Sequence, residues 1–255
     1  MNARQWYRLG FTVSVGVALY ATVCAADEES SGQNPLRPVR QVNLKYKYEN
    51  LEQGAESHQL LTQLIERWDL GNDDELGLQL DLPVRREREE NTETGLGDIL
   101  LQATGIRRMG RYRVETGLRT IVPSASHGTL GREKWDVAPV MGGSLDLPSV
   151  GQGSFISLVS RYRVSVAGAE DEPDTNRLEL EAKFNVHLRD RWYVEVRYPG
   201  EIDLENGGRL RSPVGFELGR RISESFIASI KPEFFITDRS ESQQFSIESR
   251  VGVFF

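Results

Sequence analysis

The 255-residue chain holds one cysteine, three histidines and three methionines, and beyond its first two dozen residues it has no apolar run of helix length. Each scarcity removes a class of protein. A single cysteine, Cys24, can form neither an internal disulfide nor a thiolate metal centre. The histidines, His58, His127 and His187, fall at no paired metal-ligand spacing, so no metal and no cofactor is expected. Gly95-Leu96-Gly97 is too short for a nucleotide-binding fingerprint. Basic residues are outnumbered 31 to 38, for a net charge of −7, which leaves no basic surface for nucleic acid. Helical membrane spans, which need about 20 consecutive apolar residues, are excluded. A membrane β-barrel is not, because its strands alternate and their hydropathy cancels.

What is present begins with a secretory signal. Arg4 and Arg8 precede an apolar run from Leu9 to Val23 of about fifteen residues, and small residues follow at Cys24, Ala25 and Ala26. This pattern predicts a signal peptide over residues 1–25. Cleavage there would remove the cysteine and two positive charges with no acid, leaving −9. Residues 26–38, acidic and then polar with Gly32, Pro35 and Pro38, read as a flexible periplasmic segment. The fold is expected over 39–255.

Residues 243–255 carry the period of two most plainly. Phe245, Ile247, Val251, Val253 and Phe255 share one parity, opposed by Gln244, Ser246, Glu248 and Arg250. A strand with one oily and one polar face follows. About twelve such segments succeed one another from Val39. The weakest, His58 to Trp68, has Leu60-Leu61 and Leu64-Ile65 pairs that would also suit a helix. Tight turns at Met109–Arg111, Arg189–Arg191 and Ser223-Glu224 alternate with broader loops at Arg85–Thr94, Ser124–Lys134, Gly168–Thr175 and Pro199–Gly208. Short turns on one rim and long loops on the other, with an even strand count, predict an all-β fold. It would be a transmembrane antiparallel up-and-down β-barrel of about twelve strands in a bacterial outer membrane. Trp68, Trp135, Trp192, Tyr48, Tyr112 and Tyr198 lie near strand ends, where aromatic girdles belong, which argues against a soluble sandwich.

In lipid the oily faces must point outward, so the charged faces line the lumen. The lumen-lining candidates are Lys45, Lys47, Arg113, Glu115, Arg119, Arg161, Arg163, Glu179, Glu181, Lys183, Arg197, Lys231, Glu248 and Arg250. Their near balance of sign argues for ion-pair ladders rather than a strongly ion-selective pore. A hairpin loop centred on Asp171 sets Arg163 opposite Glu179 and Arg161 opposite Glu181, and a loop over Thr237–Ser242 sets Lys231 opposite Glu248. Each directly opposed pair would contribute about 0.2–1 kcal/mol. Phe255, the aromatic end of the closing strand, is the expected signal to the barrel-assembly machinery.

Enzyme chemistry finds little support. Ser126-His127 puts a hydroxyl beside an imidazole, but neighbours in sequence rarely present nucleophile and base correctly, and no third member is identifiable. No catalytic residue is assigned. The acidic stretch Ala169–Asp174 reads as a solvated loop, with a divalent cation bridging lipopolysaccharide as the alternative.

Thr94-Gly95-Leu96-Gly97-Asp98, then Ile121-Val122-Pro123, then Leu130 to Pro139 with Trp135 at its centre, resemble motifs of a known family. That family is the outer-membrane proteins of the phenol-degradation meta-pathway. The resemblance runs from about Leu76 to Phe255 and implies a barrel passing small, often hydrophobic or aromatic, compounds. Apart from the family, Gly97 allows a bend at a rim and Asp98 can accept exposed backbone amides there. The leading expectation is a passive channel for a small solute, its partners being outer-membrane lipid, lipopolysaccharide and the assembly machinery. The alternative is a closed structural or adhesive scaffold with an ion-pair-filled lumen. A third reading is a lipid-modifying membrane enzyme using Ser126 and His127.

Overall fold

A computed structural model describes residues 31–51, 55–88, 92–205, 207–235 and 243–255. The expected signal peptide, residues 26–30, Ile236 and the 237–242 loop lie outside the described residues. Fourteen strands form one antiparallel sheet. They are β1 (Gln41–Leu51), β2 (Glu56–Gly71), β3 (Asp74–Arg88), β4 (Thr92–Leu96), β5 (Ile99–Met109), β6 (Tyr112–Val122) and β7 (Lys134–Asp146). The second half comprises β8 (Phe155–Gly168), β9 (Asn176–His187), β10 (Trp192–Asp203), β11 (Arg209–Arg211), β12 (Pro213–Arg221), β13 (Phe226–Phe235) and β14 (Gln243–Phe254). Twelve of these close a barrel, β14 pairing back to β1 with Lys45 opposite Arg250 and Gln41 opposite Phe254. The other two, β4 and β11, are short strands that pair beside the outer ends of β3 and β10.

Side-chain alternation sets the faces. In β1, Gln41 and Asn43 are buried while Val42, Leu44 and Tyr46 are exposed. The same inversion runs round the wall, with Leu101, Met141, Leu158, Phe216 and Ile230 outside and Glu115, Ser157, Glu195 and Lys231 inside. Exposed apolar side chains in such number need hydrocarbon, and a closed sheet leaves no unpaired edge in it. Trp68, Tyr112 and Trp192 lie at the turn rim; Tyr48, Trp135 and Tyr198 lie toward the loop rim. The turns are tight where the backbone permits. Asn72 and Asp73 both adopt left-handed φ (56° and 65°) between β2 and β3, the geometry of a hairpin turn whose twist matches the strands.

The second segment, the weakest in pattern, is a strand as counted, the 16-residue β2. Its pattern blurs because Leu61 and Ile65 face the lumen while Leu60 faces lipid. Two stretches expected as loops are partly strand. Arg85–Arg88 pairs with Thr92–Gly95, and Pro199–Asp203 continues β10 beside β9. Beyond the hydrocarbon neither face must be oily, so hydropathy alternation ends while pairing continues, held by contacts such as Arg177–Glu201 at 2.7 Å.

Register also departs from expectation. Arg161 stands opposite Glu179, and Arg163 opposite Arg177, two residues from the expected pairing. The β8–β9 ladder ends at Val164–Asn176, followed by one further bond from Ser165 N–H to the Thr175 carbonyl (3.0 Å), while the β7–β8 register shifts where Ala167 and Ser165 face Trp135 and Asp136. A shift of two keeps every side chain on its face. The anticipated pairs therefore form diagonally, Arg161–Glu181 at 3.0 Å and Arg163–Glu179 at 3.8 Å. Lys231 stands opposite Glu248 as expected, 3.1 Å apart.

Candidate functional site

The lumen wall divides into two kinds of surface. On β8–β10 and β12–β14 it is dense in ions. Glu181 receives Arg161, Lys183 and Arg197 at 3.0, 3.1 and 3.3 Å. Lys231 bridges Glu233 and Glu248 at 3.4 and 3.1 Å, and Lys47 joins the same group through Glu233 at 3.5 Å. Such clustered pairs resist the loss of any one member, since a buried charge without its partner costs about 3–5 kcal/mol. On β1–β6 the wall is instead rich in amides. Asn43 donates to Gln63, Gln63 and Gln79 donate to Asp81, and Gln59 and Gln102 accept from Arg85 and Arg119.

Between these walls lies a cavity of about 560 Å³. Of the charged residues expected in the lumen, Lys45, Lys47, Arg119, Arg161, Glu179, Glu181, Lys183, Arg197, Lys231, Glu248 and Arg250 line it. Three others point inward but lie away from it. Arg113 pairs with Asp146 at 2.7 Å near the turn rim. Arg163 is held by Asp136 at 2.6 Å near the loop rim. Glu115 is buried beside Gly142, where a Cβ would crowd both its carboxylate and Val159.

The floor of this cavity was not expected. Residues 31–38 do not trail outside the barrel but fold into it, unlike the flexible periplasmic segment expected of 26–38, whose residues 26–30 lie outside the described residues. Asn34-Pro35-Leu36-Arg37 makes a tight turn, with Leu36 N–H donating to Asn34 Oδ1 (3.0 Å) and Arg37 N–H to the Asn34 carbonyl (3.1 Å). Asparagine first and proline second is the sequence such a turn prefers. Leu36 at its tip is fully buried against Val140 and Val159. The wall tethers the rest. Arg250 donates to the Ser31 carbonyl (3.3 Å), Gln41 to the Gly32 carbonyl (3.0 Å) and Lys183 to the Gln33 carbonyl (3.2 Å), while the Gln33 amide donates to Glu217 (2.7 Å). Pro38 rests over Gly77, where a side chain would crowd it. The segment leaves past Val39 and a cluster of Tyr193, Ile227 and Phe254. Below it a second cavity, about 600 Å³, opens at the turn rim.

The composition of this segment does not disclose its place in the lumen. Two signals were available: the Asn-Pro turn, and the apolar Ala138, Val140 and Val159, which occupy inward parity on otherwise polar faces and are buried without touching lipid.

At the loop rim the Gly97-Asp98 pair acts as the sequence suggested. Asp98 accepts the backbone N–H groups of Ser124 and Ala125 (both 3.2 Å) and of Arg132 (2.8 Å), so one carboxylate folds the β6–β7 loop. Ser126 Oγ donates to the Leu96 carbonyl (3.3 Å), and among the described residues no hydrogen bond joins it to His127. In the acidic loop, Asp174 pairs with Lys134 at 3.0 Å. Phe255, proposed as the assembly signal, donates its N–H to the Arg40 carbonyl (3.2 Å), with the Arg40 guanidinium 5.8 Å from its ring.

Comparison with solved structures agrees on the architecture. An outer membrane channel from Pseudomonas putida F1 superposes with a TM-score of 0.66 at 13% identity, over 90% of this chain and 98% of its own. The NanC porin gives 0.59 at 12% identity, over 85% and 98%. An outer membrane phospholipase from Salmonella typhi gives 0.51 at 11% identity, over 89% and 98%. No protein-family model matches the sequence, and no curated protein does. At such identities the likeness is one of fold. The closed twelve-stranded wall with its oily exterior is that of a bacterial outer-membrane barrel.

Proposed function

We propose that the chain is a passive outer-membrane channel for small polar solutes, narrowed by its own residues 31–38. The carrying observation is the cavity of about 560 Å³ inside the closed wall, lined by ten basic and nine acidic side chains together with a wall of glutamines. That volume falls within the roughly 300–1,000 Å³ typical of small-molecule sites. Charges of both signs beside amides suit a hydroxylated or zwitterionic solute better than the hydrophobic or aromatic one implied by the resemblance to phenol-pathway proteins. The Pseudomonas putida protein is an outer membrane channel and NanC a porin, which supports a transport role.

The second reading, a closed scaffold, is favoured by the seated segment and the dense ion pairs. Liposome swelling separates the two. Liposomes bearing the refolded mature chain should swell in a monosaccharide faster than in a trisaccharide, and control liposomes should not swell. Absence of swelling in every solute, both with the intact chain and with residues 31–38 deleted, would leave the scaffold as the correct reading.

A further inference from the structure

We propose that the turn-rim mouth of the barrel holds a binding site for a small anion bearing a carboxylate or phosphate, centred on Arg189 and Arg191. The inference does not require that the lumen conduct. The second cavity, about 600 Å³, lies on the other side of the 31–38 segment, and Ser31 forms part of its lining. Three arginines, Arg189, Arg191 and Arg221, and His187 line it, and among the described residues no carboxylate does. This departs from the rest of the lumen, where bases and acids are nearly matched.

The cationic groups differ in how they are held. Arg221 is fixed: its Nε donates to the Ser223 carbonyl (3.3 Å), its Nη2 to the Glu224 carbonyl, and its guanidinium lies 4.8 Å from the centre of the Phe254 ring. His187 stacks on Tyr193 with ring centroids 6.0 Å apart, and its Nε2 is buried without a hydrogen-bond partner among the described residues. Arg189 and Arg191 have, among the described residues, no ion pair and no side-chain hydrogen bond. They lie in a turn in which Asp190 and Arg191 both take left-handed φ, 58° and 64°. Arginine has no intrinsic preference for that conformation, which glycine or asparagine would adopt at less cost. The turn thus keeps two free guanidinium groups at the mouth of a cavity that already has a fixed third.

Guanidinium forks match carboxylate and phosphate oxygens in bidentate fashion. A concave surface of one sign also raises the local concentration of its counter-ion. These are the properties of an anion site.

The test uses the mature chain refolded in neutral detergent at low salt, with succinate and inorganic phosphate as calorimetric probes. Wild type should show saturable binding of at least one probe. The R189Q/R191Q variant should bind at least tenfold more weakly while keeping the heat-modifiable gel mobility of a folded barrel. R88Q, at the opposite rim, should bind as wild type does. No saturable binding by wild type, or undiminished binding by R189Q/R191Q, would overturn the site. So would binding that appears only after D27N/E28Q/E29Q, because the cavity would then belong to the chain's own acidic stretch.

Discussion

Removing residues 31–38, by joining residue 30 to Val39, should raise the unitary conductance of the refolded barrel severalfold. The segment crosses the lumen between the two cavities and is held at five points. Four are hydrogen bonds to or from Gln41, Lys183, Glu217 and Arg250. The fifth is Leu36, seated on Val140 and Val159. Burying that leucine contributes about 1.5–3 kcal/mol, and the polar tethers about 0.5–3 kcal/mol each. The seated state should therefore dominate in the intact protein, which should conduct weakly and open in rare events. Leu36→Asp offers a gentler version. A carboxylate cannot remain against two valines without a partner, so the turn should leave its seat and conductance should rise toward that of the deletion. Both variants keep all twelve barrel strands, so heat-modifiable mobility should be unchanged. Equal conductance in wild type, deletion and Leu36→Asp would show that the segment does not limit the path.

Gly219→Val should destabilise the barrel on the order of 3–5 kcal/mol. Gly219 pairs directly with Tyr193 across β10 and β12, and the Tyr193 ring lies over it so closely that any Cβ would overlap the ring. That ring is not free to move. Its hydroxyl donates to Glu217 (2.6 Å) and accepts from Arg250 (2.8 Å), the residue that also holds Ser31. Valine would expel the ring and break both charge-assisted bonds. Urea unfolding in lipid vesicles should show the loss. Adding Tyr193→Ala to Gly219→Val should recover part of it, because the overlap is gone; coupling of that sign marks direct contact. Wild-type stability in Gly219→Val would contradict the placement of the ring.

The sequence disclosed the wall of this barrel more fully than its contents. Strands facing lipid on one side and water on the other must alternate, so parity alone placed Leu44 outside and Lys45 inside. Asp98 was legible for a similar reason: a carboxylate after glycine at a rim has backbone amides to bind, and it binds three. Register was harder. Moving Arg163 from Glu179 to Arg177 changes no face, so hydropathy cannot detect it. The extensions β4 and β11 escaped because strands outside hydrocarbon carry no oily face. The lumen segment escaped for a different reason. Ser31, Gly32 and Gln33 are bound mainly through backbone carbonyls, which nearly any sequence supplies, and the specific anchors are only the Gln33 amide and a single leucine. Inward apolar residues on polar faces, such as Val140, Ile227 and Phe254, are the trace such a segment leaves.

The occupation of a polar-lined interior by the chain's own N-terminal turn is probed most directly by cross-linking. The paired variant L36C/V140C, in a background with Cys24 changed to serine, joins the tip of the turn to the wall of β7. Mild oxidation of intact outer membranes should convert most of the protein to a cross-linked form with altered gel mobility. Conductance should stay low until reduction restores rare openings. Absence of the cross-link in folded protein, with L36C freely labelled by a bulky aqueous thiol reagent, would contradict the account.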